Sequence, residues 1–232
     1  STFNNKNVGT SKSVTVNSIT LADGTNGGLA ANYSISPGQT TTANITAKAL
    51  TATASASNKV YDGSNAAQTT LTLSGFIGSE TLNSTNTSTF NNKNVGTGKS
   101  VTVNSITLAN GTNGGLAANY SISSGQTTTA NITAKSLTAT ASAANKVYDG
   151  TTTATTTLTF TGLVGSETLN QSVGSTFDNK NVGTGKSVTV NSITLTDGTG
   201  LAANYSISPG QTTTADITAK PLSVSGITAS DK

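Results

Sequence analysis

The sequence predicts an all-β chain assembled from tandem copies of one domain. Three observations carry that prediction. The phrase STF[ND]NKNVGT places Phe3, Phe90 and Phe177 87 residues apart (90−3 and 177−90), and a fixed period marks an array of repeated structural units. Apolar residues alternate with Thr and Ser in short runs, the pattern of strands with one covered and one wet face. Turn dipeptides punctuate the runs, and no window of about 11 residues carries a convincing helical period.

Taken in order, the elements of one copy follow from these patterns. Tyr33 and Ile35 alternate with polar residues, as do Ala43, Ile45 and Ala47. Leu50, Ala52, Ala54 and Ala56 continue in the opposite phase, and a change of phase reverses which side chains face the core. A unit boundary is therefore expected at Lys48, Lys135 and Lys220. The organisation is then 1–47, the C-terminal part of a repeat; 48–134 and 135–219, two complete repeats; and 220–232, the start of another. Asp62-Gly63 closes a turn, and Leu71 and Leu73 form the next alternating strand. Between Lys99 and Leu108 the phase changes again: Val101 and Val103 are odd, Ile106 and Leu108 even. One extra residue near Asn104-Ser105, a β-bulge or a change of sheet, accounts for this. Further turns fall at Asp23-Gly24, Gly96-Thr97-Gly98 and Asn110-Gly111. Leu116-Ala117-Ala118 is the one candidate for a helical turn. GTNGGLAAN from Gly111 shortens by two residues to GTGLAAN from Gly198, a deletion that a loop should absorb.

Short strands, frequent turns and no helices predict β-sandwich (Ig-like) domains, arranged end to end as an elongated rod. The expected core of the repeat from Lys48 is Leu50, Val60, Leu71, Leu73, Ile77, Phe90, Val101, Val103, Ile106, Leu108, Tyr120, Ile122 and Ile132. Tyr120 belongs to the LAANYSIS phrase and Ile132 to ITAK. Residues 1–47 carry only part of a repeat. Phe3, Val14, Val16, Ile19, Leu21, Tyr33, Ile35 and Ile45 are expected to meet water unless a neighbouring chain covers them, with residues 220–232 as one source of missing strand.

Composition bounds the chemistry. The chain has 232 residues, 33% hydrophobic and 9% charged, with no Cys, Met, Trp or His. Without Cys there is neither a disulfide nor a thiolate metal site. Without His the commonest general base is missing. No stretch approaches the roughly 20 apolar residues of a membrane helix, and the first residues do not read as a signal peptide. The net charge is +3, every basic residue is Lys, and those lysines are spread out. Nucleic-acid surfaces favour Arg and clustered charge, so a solvated face is the preferred reading and no nucleic-acid partner is expected.

The chemical-looking motifs have structural readings. The repeated corner Tyr61, Asp62, Gly63 and its copy Tyr148, Asp149, Gly150 read as a turn, with the Tyr ring packed and its hydroxyl on backbone. Gly96-Thr97-Gly98-Lys99-Ser100 ends like a phosphate loop, but Lys93 stands where that loop needs its first Gly. Asp62 and Glu80 are the only acids between Lys48 and Ala134, too few for a calcium linker. Asn32, Asn44, Asn119, Asn131 and Asn204 begin Asn-x-Ser/Thr triplets, which a chain rich in these residues produces by chance. The Thr151–Thr157 run reads as a wet strand face. No catalytic, metal or cofactor site is expected, and the chain reads as no enzyme.

NKVYDGT, a TLT-type strand, GSETL, STFDNKNVGTGKSVTV, LAANYSI and ADITAKPL together resemble the YDG repeat of filamentous-haemagglutinin-like bacterial exoproteins and surface adhesins. The resemblance covers essentially the whole chain. It implies a secreted, cell-surface, β-rich stalk with no catalytic residues. The expected function is therefore a non-catalytic stalk segment of a large adhesin or extracellular filament, projecting or linking cells. The alternative is a multivalent, weakly glycan- or surface-binding module. Expected partners are neighbouring repeats, other chains in a filament, and a glycan or host receptor bound through domains outside this segment. No membrane insertion is expected. The ITAK-to-LTAT joins contain no Pro-Gly-Ser linker, which predicts direct passage from strand to strand.

Overall fold

The computed structural model describes residues 1–232 and is all-β, with three single-turn 3-10 segments at Ala30–Asn32, Ala117–Asn119 and Ala202–Asn204. The second of these overlaps the expected helical turn. The chain divides into two compact units, each stitched from separated stretches. One holds Ser1–Ala56, Ala67–Thr89 and Ser100–Thr129; the other holds Ser57–Ala66, Phe90–Lys99 and Ala130–Lys232.

The second unit contains the copy that starts at Lys135. Its main sheet has five strands in the order Lys146–Val147, Thr212–Thr218, Gly183–Asp197, Leu169–Phe177 and Thr153–Ala154. The first pairing is parallel and the other three are antiparallel. Thr138–Ala143 and Thr156–Thr161 form a separate antiparallel pair, with Ala139 opposite Phe160 and Ala141 opposite Leu158. Lys135–Ser136 runs parallel to Tyr205–Ser206. The same five-strand order recurs among the equivalent strands of the preceding copy.

Two sequence expectations have a direct structural cause. Opposite Gly174 and Ser175 the long strand Gly183–Asp197 skips from Ser192 to Val190, leaving Asn191 as the extra residue of a bulge. Asn191 is the counterpart of Asn104 (191−104 gives the 87-residue period), beside which the apolar pattern changes phase. The two-residue deletion falls in the loop after this strand. Gly111 N–H donates to Gly115 O in the longer version, and Gly198 N–H donates to Gly200 O in the shorter. At the boundary, Ala134 alone separates Thr127–Thr133 from Lys135–Ser136.

The core of this copy is Ala154, Phe177, Val188, Ala215 and Ile217, with Ala143 and Tyr148 packed against it. In the preceding copy Leu50, Phe90, Val101, Val103, Tyr120 and Ile132 are buried as expected. Leu71, Leu73, Ile106, Leu108 and Ile122 are half-buried. Val60 and Ile77 are corrections: they are 54% and 56% exposed. Alternation along Lys59-Val60-Tyr61 turns Val60 outward and its two neighbours inward, so the apolar letter marks the wet face. Of the half-repeat residues, Phe3, Leu21, Tyr33 and Ile35 are exposed, whereas Val14, Val16, Ile19 and Ile45 are half-buried.

Burial predicts a contrast between paired residues. Ile217, 1% exposed, sits opposite Lys146, next to Val147, which is 51% exposed. Ile217→Ala should cost about 2–5 kcal/mol, and Val147→Ala no more than about 0.5 kcal/mol. Urea denaturation of the two variants checks both values.

Candidate functional site

NKVYDG is built around its lysine. In the second unit, Lys59 points inward from the short strand Lys59–Val60 and lies 5.7 Å from the centre of the Phe90 ring. Its ammonium donates to Asp62 Oδ1 at 2.8 Å, Ser64 O at 2.8 Å and Ala66 O at 3.0 Å. Asp62 Oδ1 also accepts Ser64 N–H and Ser64 Oγ. Between them Gly63 has φ +80°, the left-handed region that suits glycine. Asn58 Oδ1 accepts the Asn131 N–H at 2.7 Å. The copy repeats this: Lys146 donates to Asp149, Thr151 O and Thr153 O and lies 5.6 Å from the Phe177 ring centre. The Lys146 ammonium, then Thr151, hold the Asp149 carboxyl down at about 2.

Only the tyrosine of the motif is left over, and it reaches elsewhere. The Tyr61 ring is 1% exposed, and its hydroxyl donates to Glu167 Oε1 at 2.7 Å. That corrects the expectation of a hydroxyl on backbone. Tyr205 donates to the other oxygen of Glu167 at 2.6 Å and accepts the Val164 N–H at 3.0 Å. The two rings meet edge to face, centroids 5.5 Å apart, a favourable arrangement of their quadrupoles. Lys93 Nζ lies 3.4 Å from Glu167 Oε1. Close by, Val95 N–H donates to Asn204 Oδ1 at 2.9 Å, and Asn204 Nδ2 donates to Asn94 Oδ1 at 3.2 Å. Asn204 is 1% exposed. Two glycines make room. A Cβ on Gly63 would come 2.7 Å from Val164 Cγ1, and one on Gly200 would come 2.7 Å from Glu167 Oε2.

Tyr61, Lys93, Asn94 and Val95 belong to one copy of the repeated sequence; Val164, Glu167, Asn204 and Tyr205 belong to the next. The cluster is thus the join between successive copies. The first compact unit holds its counterpart. Tyr120 donates to Glu80 Oε2 at 2.7 Å and accepts Ile77 N–H at 3.1 Å. Lys6 Nζ donates to Glu80 Oε1 at 2.7 Å, Val8 N–H donates to Asn119 Oδ1, and Asn119 Nδ2 donates to Asn7 Oδ1. The glycosylation-type asparagines Asn119 and Asn204 are therefore bound up in these joins.

The electrostatics follow from the donors. Burial opposes ionisation of Glu167, but the hydrogen bonds of Tyr205, Tyr61 and Lys93 outweigh it and hold the carboxyl below its ordinary range. Burial, then the bond to Glu167, pushes Tyr205 up to about 12 and raises Tyr61 as well. These groups are arranged to stay ionised carboxylate and neutral phenol, an arrangement that stabilises a contact and leaves no free proton carrier.

The loop that ends like a phosphate loop is likewise committed inside the protein. Gly98, with φ +58°, donates its N–H to Asn131 Oδ1 at 2.8 Å, and Lys99 donates to Asn92 Oδ1 at 2.7 Å. Tyr148, Asp149 and Gly150 form the second lysine-centred turn, with Tyr148 half-buried. Sequence reasoning missed Glu80, Glu167, Lys93 and the Asn94–Asn204 pair. Their one signal is recurrence of GSETL and NKNVG with the period.

Compared with protein families, residues 1–43, 46–130 and 133–215 each match the YDG domain. No curated protein and no solved structure matches the chain.

The join predicts a two-sided pH profile. Glu167 is held low when folded, so its contribution is full above the ordinary Glu value of about 4.3 and is lost as pH falls through the folded value. Tyr205 is held high, so its contribution is full below the ordinary Tyr value of about 10 and is lost as pH rises toward about 12. Thermal melts across this range should fall off at both ends. Tyr205→Phe should shrink the alkaline limb, leaving the part due to other raised groups such as Tyr61 and Tyr120. Glu167→Gln should shrink the acid limb, leaving the part due to other low-lying carboxyls such as Glu80 and Asp149.

Proposed function

The chain belongs to the YDG domain family, and from that premise we propose that it is a non-catalytic stalk segment of a large secreted bacterial surface adhesin or extracellular filament. The observation that carries this reading is the join. Tyr61, Lys93 and Asn94 of one copy are bound to Glu167 and Asn204 of the next, and Lys6 and Asn7 meet Glu80 and Asn119 in the same way. Side chains that would form a site in an enzyme are spent on holding consecutive copies together. A carboxylate shared by two phenols and an ammonium fixes direction as well as distance, because charge-assisted hydrogen bonds are short and oriented.

In this reading each copy is a two-layer sandwich, and the copies stand end to end as a rod. The near absence of linker at Lys135 supports stiffness, since a flexible spacer would need several unpaired residues. The Thr- and Ser-rich wet faces keep a long array soluble. A secreted chain without Cys needs a source of stability other than disulfides, and the packing of successive repeats supplies part of it. The stalk projects or links cells, and the receptor is bound by other parts of the parent protein.

Small-angle scattering on chains of two, four and eight repeats tests the proposal. The maximum dimension should rise linearly with repeat number, and Glu167→Gln should broaden the distance distribution without changing strand content. A compact particle whose size grows only slowly with repeat number contradicts the rod. Saturable binding of a glycan by an isolated repeat contradicts the purely structural role.

A further inference from the structure

Each complete copy enters and leaves on strands that run the same way. In the copy from Lys135, Lys135–Ser136 pairs parallel to Tyr205–Ser206. Further along, Lys146 and Val147 pair parallel to Ile217 and Thr218. Partner numbers rise together, so residues 135–147 and 205–218 lie side by side in one direction, fastened at both ends. Backbone bonds extend each fastening: Leu137 N–H donates to Ser206 O at 2.8 Å, and Tyr148 N–H to Thr218 O at 2.8 Å. Side chains add to the second. Asn145 Oδ1 accepts the Asp216 N–H at 2.7 Å, and Thr218 Oγ1 donates to Lys146 O at 3.3 Å. The preceding copy repeats these pairings, Lys48–Ala49 with Tyr120–Ser121 and Lys59 and Val60 with Ile132 and Thr133. Asn58 there takes the place of Asn145.

Both segments are anchored. On the entry segment, Ala143 packs against the core that contains Ala215 and Ile217 of the exit segment. Lys146 lies 5.6 Å from the centre of the buried Phe177 ring and is bonded to Asp149, Thr151 O and Thr153 O. A slip of one residue would turn the side chains of the moving strand to the wrong face. The direction of pairing then decides how force is borne. A pull toward the amino end at Lys135 and toward the carboxyl end after Thr218 drives the two segments past each other along their own axes. Interstrand hydrogen bonds lie across that direction, so both fastenings share the load and must fail together. A pull across an antiparallel pair, such as Asn170 and the opposing Thr196, instead opens the bonds one after another.

We infer that the paired entry and exit segments are a mechanical clamp, which keeps each copy folded when the chain is pulled along its length. Forced unfolding is governed by the unfolding rate and not by equilibrium stability. A copy with few large apolar residues therefore resists tension if the bonds that hold its two ends break only as a set. The use of this strength rests on the stalk reading, in which a link between cells carries tension. The clamp itself is a property of a single copy. Scattering reads how copies are arranged and pulling reads how one copy resists, so the stalk reading and the clamp fail separately.

Single-molecule pulling on the full 232-residue chain tests the clamp. The chain has no Cys, so thiols added beyond Ser1 and Lys232 define one pulling axis. Asn170→Cys with Thr196→Cys defines a second, across an antiparallel pair of the same copy. At equal loading rate the end-pulled chain should give two unfolding events, each releasing one copy, at forces well above that needed to open the cross-pulled pair. Asn145→Ala, at an exposed position, removes one bond from one clamp. At fixed force it should speed one of the two end-pulled events about 5-fold, as loss of a hydrogen bond implies. The other event, from the copy that carries Asn58, stays as the reference, and the cross-pulled force should not change. Equal forces along the two axes, no change in end-pulled rate with Asn145→Ala, or an equal change along both axes overturns the inference. The comparison of axes leaves every clamp residue untouched, so a folding defect in Asn145→Ala does not obscure the result.

Discussion

The contact between copies depends on one half-buried carboxylate, that of Glu167, whose side chain is 16% exposed. Glu167 receives phenol hydroxyls on both oxygens and a lysine ammonium on one of them. A carboxylate withdrawn from water is costly unless its lone pairs are filled. Here they are filled by donors from two successive copies of the sequence. Neither copy can satisfy the carboxylate alone in the same way: Tyr205 lies in its own copy, Tyr61 and Lys93 in the preceding one. The desolvation cost therefore becomes a penalty on separation, and a chain with a thin apolar core gains a directional contact at each join. The edge-to-face Tyr61–Tyr205 pair and the part-buried Asn94–Asn204 pair add to the same contact.

The lysine-centred turn explains why the tyrosine is available for that task. Lys59 gathers Asp62, Ser64 O and Ala66 O, so the chain reverses immediately after Tyr61 and the ring is left projecting. Gly63 permits the reversal and keeps Val164 clear. Asn58 and Asn131 tie the turn to the ITAK strand. What reads as a low-complexity, polar sequence is a set of assigned hydrogen bonds. Asn and Thr supply donors and acceptors that Leu or Val would not, and this compensates in part for the small number of large apolar residues.

Much of this was legible in the sequence where the physics is local. Period gives repetition, alternation gives strands, and the odd-to-even change from Val103 to Ile106 gives the bulge that Asn191 displays in the next copy. The shortened loop, and the turn at Asp62-Gly63, follow from composition. Val60 reads as core because it is apolar, yet strand alternation sends Lys59 and Tyr61 inward. A lysine can face inward only because Asp62 and two carbonyls await it. The Tyr61 hydroxyl reads as bound to backbone, whereas its acceptor lies 106 residues away, and no spacing rule connects a YDG corner to the Glu of the next GSETL. A half-buried glutamate met only once per repeat looks, in sequence, like a solvated charge.

A double-mutant cycle on Tyr61→Phe and Glu167→Gln tests this account most directly, read as unfolding free energy near neutral pH. Residues that share a hydrogen bond couple by about 0.5–3 kcal/mol, while independent sites add to within about 0.3–0.5 kcal/mol. If the carboxylate is the lock between copies, the two changes should be strongly non-additive, with a coupling of about 1 kcal/mol or more. The second substitution should then cost little once the first is made. Simple additivity would mean that Tyr61 and Glu167 stabilise their own copies independently, and would contradict the claim that this contact joins them.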